Sequence, residues 1–113
     1  MSIKEVSIKQ EMPTVKEAME ILDLEIKRAK SLKCDCIKVI HGYGSTGTGG
    51  KIKAKLREVL PKKQQEGQIK DFVHGEDWSI FNPKTREVLN SVKGARGDKD
   101  LEKFNIGMTV IIL

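Results

Sequence analysis

Cysteines, aromatic residues and long apolar runs are all scarce in this sequence, and each scarcity removes a class of protein. The only cysteines are Cys34 and Cys36. Two residues apart in a strand, their side chains point the same way with no room for normal disulfide geometry. They read as reduced thiols filling the core, and with no second Cys or His pair at ligand spacing a zinc site has little support. Aromatics make up 4% of the chain, so the core must be aliphatic. No aromatic platform for stacking bases is evident, which argues against strong sequence specificity toward a nucleic acid. No apolar run approaches the length that spans a bilayer. The N-terminal MSIKEVSIKQ alternates charge and apolarity where a signal peptide needs an unbroken apolar stretch. The expectation is a cytoplasmic protein with no membrane partner. With 38% apolar and 33% charged residues in 113 positions, the composition predicts one folded domain over 1–113.

Hydrophobic periodicity then marks the elements. Ile3, Val6 and Ile8 predict a first strand over 3–9. Thr14 followed by Glu17 is a capping box, and Val15, Ala18, Met19, Leu22, Ile26 and Ala29 recur at helical spacing behind it. Residues 36–40, CIKVI, are short and β-branched, the pattern of a strand buried on both faces in a parallel sheet. Ile52, Leu56, Val59 and Leu60 predict a second helix from about Gly49, capped by Thr48 and ending between Pro61 and Gly67. Residues 68–74, QIKDFVH, form a third strand, and GMTVIIL at 107–113 has strong strand propensity. Between them lies a long connection, 75–106, in which Asn82-Pro83 opens a short helix; a connection of this length in so small a domain is usually functional or mobile.

The densest signal is KVIHGYGSTGTGGKIKAKL, residues 38–56, which puts five glycines and a histidine between a buried strand and a helix N-terminus. Such a loop offers unpaired backbone N–H groups, the positive end of a helix dipole and no Cβ atoms to obstruct a phosphate. The helix that follows carries Lys51, Lys53, Lys55, Arg57, Lys62 and Lys63 against Glu58 alone, a local excess equal to the whole net charge of +5. Concentrated positive charge of this kind suits a polyanion, and nucleic acid is favoured over membrane because the helix lacks a broad apolar face. A Walker A reading fails, since Ser45 and Ile52 stand where a glycine and the magnesium-binding hydroxyl are needed. Gly42, Gly44 and Gly47 satisfy the dinucleotide fingerprint literally. However, the loop is the second strand-to-helix turn rather than the first, and no acidic residue lies about 20 positions on.

The strand, the His41-Gly42-Tyr43-Gly44 run and the helix KIKAKLREVL resemble the H-G-x-G-x-G motif of the Smr (small MutS-related) domain family. TVKEAMEILDLEIKRAKSL is similar to that family's first helix, and GMTVIIL to its closing strand. The resemblance implies an α/β two-layer sandwich of β-α-β-α-β-β order, similar to the C-terminal domain of translation initiation factor three. It also implies binding or cleavage of nucleic acid, family members acting as DNA-nicking endonucleases or as endoribonucleases. The chain departs from the family where a second motif, L-D-x-H-G, is expected before the first helix: Lys9, Glu11 and Met12 occupy its Asp, His and Gly positions.

Phosphodiester cleavage needs stabilisation of charge on the phosphate, activation of a nucleophile and protonation of a leaving oxygen. His41, Glu11 and His74 are the candidate catalytic residues, since parallel strand ends converge. Gly42, Tyr43, Gly44, Gly47, Gly49, Lys51, Lys53, Lys55 and Arg57 are the candidate nucleic-acid contacts. Magnesium or manganese is the candidate ion of a metal-assisted form. The competing expectation is a non-catalytic module that binds a protein or the ribosome. Trp78 is expected either to shield the site or to pack the long connection down.

Overall fold

The computed structural model describes residues 3–9, 13–42 and 49–113. Strand β1, Ile3–Ser7, runs parallel to β2, Cys36–Ile40, with Ile3 opposite Cys36 and Ser7 opposite Ile40. Helix α1, Val15–Ser31, crosses between them. Its start is fixed by the expected capping box: Thr14 N donates to Glu17 Oε1 at 2.9 Å and Glu17 N to Thr14 Oγ1 at 3.1 Å. Helix α2, Gly49–Gln65, follows β2 and leads into β3, Asp71–His74, shorter than the 68–74 run expected. Pro61 lies inside α2 with its ring exposed. The expected cap Thr48 falls outside the described residues.

The closing strand β4, Met108–Ile112, inserts antiparallel between β2 and β3, giving the sheet order β1-β2-β4-β3. Because β4 opposes both neighbours, β1, β2 and β3 all point one way and their C-terminal ends share one edge. Strand β2 is buried on both faces as its sequence predicts, but within a mixed sheet instead of an all-parallel one.

The two faces have separate cores. On one, Ala18, Leu22 and Ile26 of α1 and Ile52, Leu56 and Leu60 of α2 pack against Ile37, Val39 and Ile111 of the sheet. Each large aliphatic side chain buried there contributes about 1.5–3 kcal/mol. This is the α/β sandwich expected from the sequence. The long connection supplies the cover of the other face: helix α3, Pro83–Ser91, and the turns around it bury Trp78, Val88, Leu89, Val92 and Ala95 on Cys36, Val73, Met108 and Val110. Asn82 caps α3, accepting from Lys84 N at 2.9 Å and Thr85 N at 3.2 Å. Trp78 is fully buried and donates Nε1–H to Asp98 Oδ2 at 3.0 Å, so it packs the connection down. Gly75, directly after β3, is held against the far end of the same connection. A Cβ there would lie 1.7 Å from the Asn105 carbonyl oxygen.

Candidate functional site

Along β4, Val110 and Ile112 face the α3 side while Ile111 faces α1 and α2. Thr109 therefore looks toward the α1 and α2 side, and so do His41, just past the end of β2, and His74, the last residue of β3. The antiparallel insertion of β4 sets the two histidines on strands flanking Thr109. The register pairs His74 with Thr109 directly. His41 Nε2 lies 3.0 Å and His74 Nδ1 3.1 Å from the same atom, Thr109 Oγ1. Two of the three candidate catalytic residues, His41 and His74, thus meet at one hydroxyl, and the residue joining them is one that sequence reasoning passed over. Its signal was available: Thr109 is the only polar residue in the run MTVII.

The two imidazoles differ in access. His41 is 1% exposed, and its Nδ1 lies 2.6 Å from the Gly42 carbonyl oxygen. Its backbone N–H and that of Gly42 both donate to the Gly107 carbonyl at 3.0 Å, tying the loop to the start of β4. Gly42 turns the chain with φ of +75°, a conformation that disfavours side chains, and a Cβ there would meet Lys9 Cδ at 3.4 Å. His74 is half-buried, with its ring against Phe72 at 5.4 Å between centroids. Among the described residues its Nε2 has no hydrogen-bond partner.

Burial lowers the pKa of His41, assisted by Lys53 and by His74 itself and opposed by the Gly42 and Met108 carbonyls. Burial also lowers that of His74, with Arg57 and Lys53 adding to the shift and Glu76 and Asp77 opposing it. Both shifts favour the neutral ring. Lys53 acts on both rings, and Arg57, one helical turn further along α2, acts on His74. Arg57 is held by the Glu76 carboxylate, whose other oxygen, Oε1, is buried without a partner among the described residues. Lys55 pairs with Glu58 at 3.2 Å, Lys63 with Asp23, and Lys51 is exposed in the first turn. Gly49 begins α2. Glu11, Tyr43, Gly44 and Gly47 lie outside the described residues. No group of three or more His, Cys, Asp or Glu side chains among the described residues is arranged to hold a metal ion, so a magnesium or manganese ion finds no ready donor set there. No helix among them is long and apolar enough to cross a membrane.

The chain superposes on the crystal structure of the Smr domain of Thermus thermophilus MutS2 with a TM-score of 0.57 and 22% sequence identity, covering 97% of this chain and 96% of that one. Among curated proteins none matches. The family model for the Smr domain matches residues 11–79, from the approach to α1 through the glycine loop, α2, β3 and the turn after it. With more than half of the chain matched and the four-stranded sheet of that fold in place, this protein belongs to the Smr domain family.

Proposed function

We propose that this domain binds the sugar-phosphate backbone of a nucleic acid at the shared C-terminal edge of β1, β2 and β3, and that His74 carries proton transfer in cleaving it. The observation that carries the reading is the meeting of His41 and His74 on the Thr109 hydroxyl, with Nε2 of His74 unbonded among the described residues and the charges of Lys53 and Arg57 acting on that ring. Lys53 has no carboxylate partner among the described residues. Lys9, standing where the family motif has an acid, approaches Gly42 and adds a third basic side chain near this edge. Family membership supports the same polymer class. Positive charge without a fixed base-reading surface positions a backbone and does not select its sequence.

In the cleavage step a water oxygen bonds to phosphorus as its proton passes to His74 Nε2. The bond from phosphorus to the leaving oxygen breaks, and that oxygen takes a proton from solvent. His74 then returns its proton to water, which restores the neutral ring. Lys53 and Arg57 offset the charge that builds on the phosphate.

The test is a salt titration of binding to single-stranded RNA, duplex DNA and branched DNA, with cleavage scored in parallel in the presence of magnesium, of manganese and of a chelator. Binding is expected to weaken steeply with salt. For duplex DNA, Lys53→Ala and Arg57→Ala should each flatten the log–log slope by about 0.9. Binding without cleavage in any of these conditions would leave a non-catalytic nucleic-acid module. Absence of binding to all three polymers would overturn the reading in favour of a protein or ribosome partner.

A further inference from the structure

The hydrogen bonds that join the two histidines through Thr109 favour one distribution of protons. His41 Nδ1 sits 2.6 Å from the Gly42 carbonyl oxygen, and a carbonyl can only accept. The neutral ring therefore carries its hydrogen on Nδ1 and presents a bare lone pair at Nε2. Thr109 Oγ1, 3.0 Å from that lone pair, must donate its hydroxyl hydrogen to it. With its hydrogen committed, the same oxygen is left as an acceptor toward His74 Nδ1 at 3.1 Å. His74 then carries its hydrogen on Nδ1, which leaves Nε2, unbonded among the described residues, as the unprotonated nitrogen.

We infer that His41 and Thr109 are positioning residues that hold His74 in the Nδ1–H tautomer, making His74 Nε2 the acid–base atom of the site. The inference rests on the cleavage reading above for the use of that nitrogen, but not for its protonation. It reverses the roles that the glycine motif suggests. His41, in the motif, is buried with both ring nitrogens hydrogen-bonded, whereas His74, outside the motif, is half-buried with Nε2 unbonded among the described residues. The chain of bonds also gives the buried threonine a reason to be there. Valine would fill the same volume but would leave His41 Nε2 unpaired and release the His74 ring to rotate or to move its hydrogen to Nε2. The charged groups facing the pair are Lys53 and Arg57 from α2 and Glu76 and Asp77 from the turn after β3. None of them bonds a ring nitrogen, so they tune the protonation of the rings without setting the tautomer.

The experiment is nitrogen-15 correlation NMR of the histidine rings in the whole protein, which distinguishes the two neutral tautomers directly, followed through a pH titration. In the wild type both rings should appear as Nδ1–H tautomers above the histidine titration range. In Thr109→Val, His74 should become a mixture of tautomers, and Thr109→Ser should restore the single one. Where cleavage is present, His74→Gln should lose about 10²–10⁴-fold. Thr109→Val should lose up to about 10²-fold, with its pH profile displaced, and Thr109→Ser should recover most of that. An Nε2–H tautomer at either ring of the wild type would overturn the inference whatever the activity, as would a Thr109→Val spectrum unchanged at His74. A wild type with the stated tautomers that cleaves no nucleic acid would retire the cleavage reading and leave the positioning of His74 standing. The wild-type spectrum decides the matter even if the valine variant does not fold.

Discussion

Lys38, in the middle of β2, and His41, just past its end, face opposite sides of the sheet, and each anchors a buried polar cluster. Lys38 is 2% exposed. Its Nζ meets Asp100 Oδ2 at 2.6 Å, Asp98 Oδ1 at 2.9 Å and Glu5 Oε1 at 3.3 Å. The carboxylates are in turn bonded to the connection: Asp98 accepts from Trp78 Nε1 and Asp100 from Asn105 Nδ2 at 3.2 Å. That cluster is charged and, on the side of the connection, closed: the Asp98 and Asp100 oxygens are all bonded and hold residues 75–106 to the sheet, while Glu5 on β1 is half exposed. The cluster around His41 favours neutral rings and ends on a His74 nitrogen that is unbonded among the described residues, with the charges of Lys53 and Arg57 acting on it. Two buried polar groups on one short strand thus serve different ends. The fully satisfied one fixes the fold, and the other is the one proposed above to meet a ligand.

The largest expected effect comes from breaking the closed cluster. Lys38→Met leaves three carboxylates around an apolar group, and removal of one partner from a buried ion pair typically costs about 3–5 kcal/mol. Urea unfolding should show a loss of that size. A variant as stable as the wild type would mean that the carboxylates reach solvent freely and that the connection is held by its apolar contacts alone. Nucleic-acid binding by the folded fraction should be unchanged, because Lys38 faces away from the histidine edge.

A smaller effect separates the clusters by pH. Burial depresses the folded-state pKa of both histidines, so the unfolded chain binds more protons below about 6.5. Their contribution to stability is present above that value and declines as pH falls through it. The closed cluster fails elsewhere. Burial opposes the charge on Lys38, but Asp100 and Asp98 outweigh it and raise its pKa, so that its contribution is complete below 10.5 and is lost as pH rises through the raised value. Asp100, where burial is outweighed by Lys38 and Asn105, is depressed below 3.8, and its contribution declines as pH falls from that value. Unfolding midpoints followed from pH 8 to 5 should slope downward in the wild type. In the double variant His41→Gln/His74→Gln the slope over that window should be flattened. An equal slope in both would place the acid sensitivity in the carboxylates and break the proposed division.

How much of this was legible in the sequence depends on the range of the contacts concerned. The capping box, the apolar rows of α1 and α2, the glycine turn after β2 and the convergence of His41 with His74 all follow from local spacing and from the direction of successive parallel strands. Thr109 was not legible, because its role depends on β4 passing between β2 and β3, a pairing that joins residues 68 positions apart. Lys38 read as one polar residue in an apolar strand, its partners lying 60 and 62 positions on in a segment rich in glycine and charge. The basic helix was legible as charge but not as direction. Only with α2 laid on the sheet do Lys53 and Arg57 turn toward the histidines while Lys55 turns to Glu58. Trp78 carried both of its expected roles until the fold buried it under the connection.

The smallest expected effect sharpens the comparison without disturbing either cluster. Cys36 shares the α3 face with Lys38, two residues earlier on β2, and is fully buried. Burial, reinforced by the neighbouring Asp35 carboxylate, pushes its thiol up to about 12, so it carries almost no thiolate at pH 8. Cys34 is also buried, with both thiols free. Alkylation of the native protein by iodoacetamide at pH 8 should therefore be slow and limited by opening of the fold. The rate at Cys36 becomes a reporter of its own face: Lys38→Met should accelerate it in proportion to the stability lost, whereas His74→Gln, on the opposite face and at the open end of its cluster, should leave it near the wild-type rate. Equal acceleration in both variants would show that the two faces open together and that the sheet, not the Lys38 cluster, sets the protection.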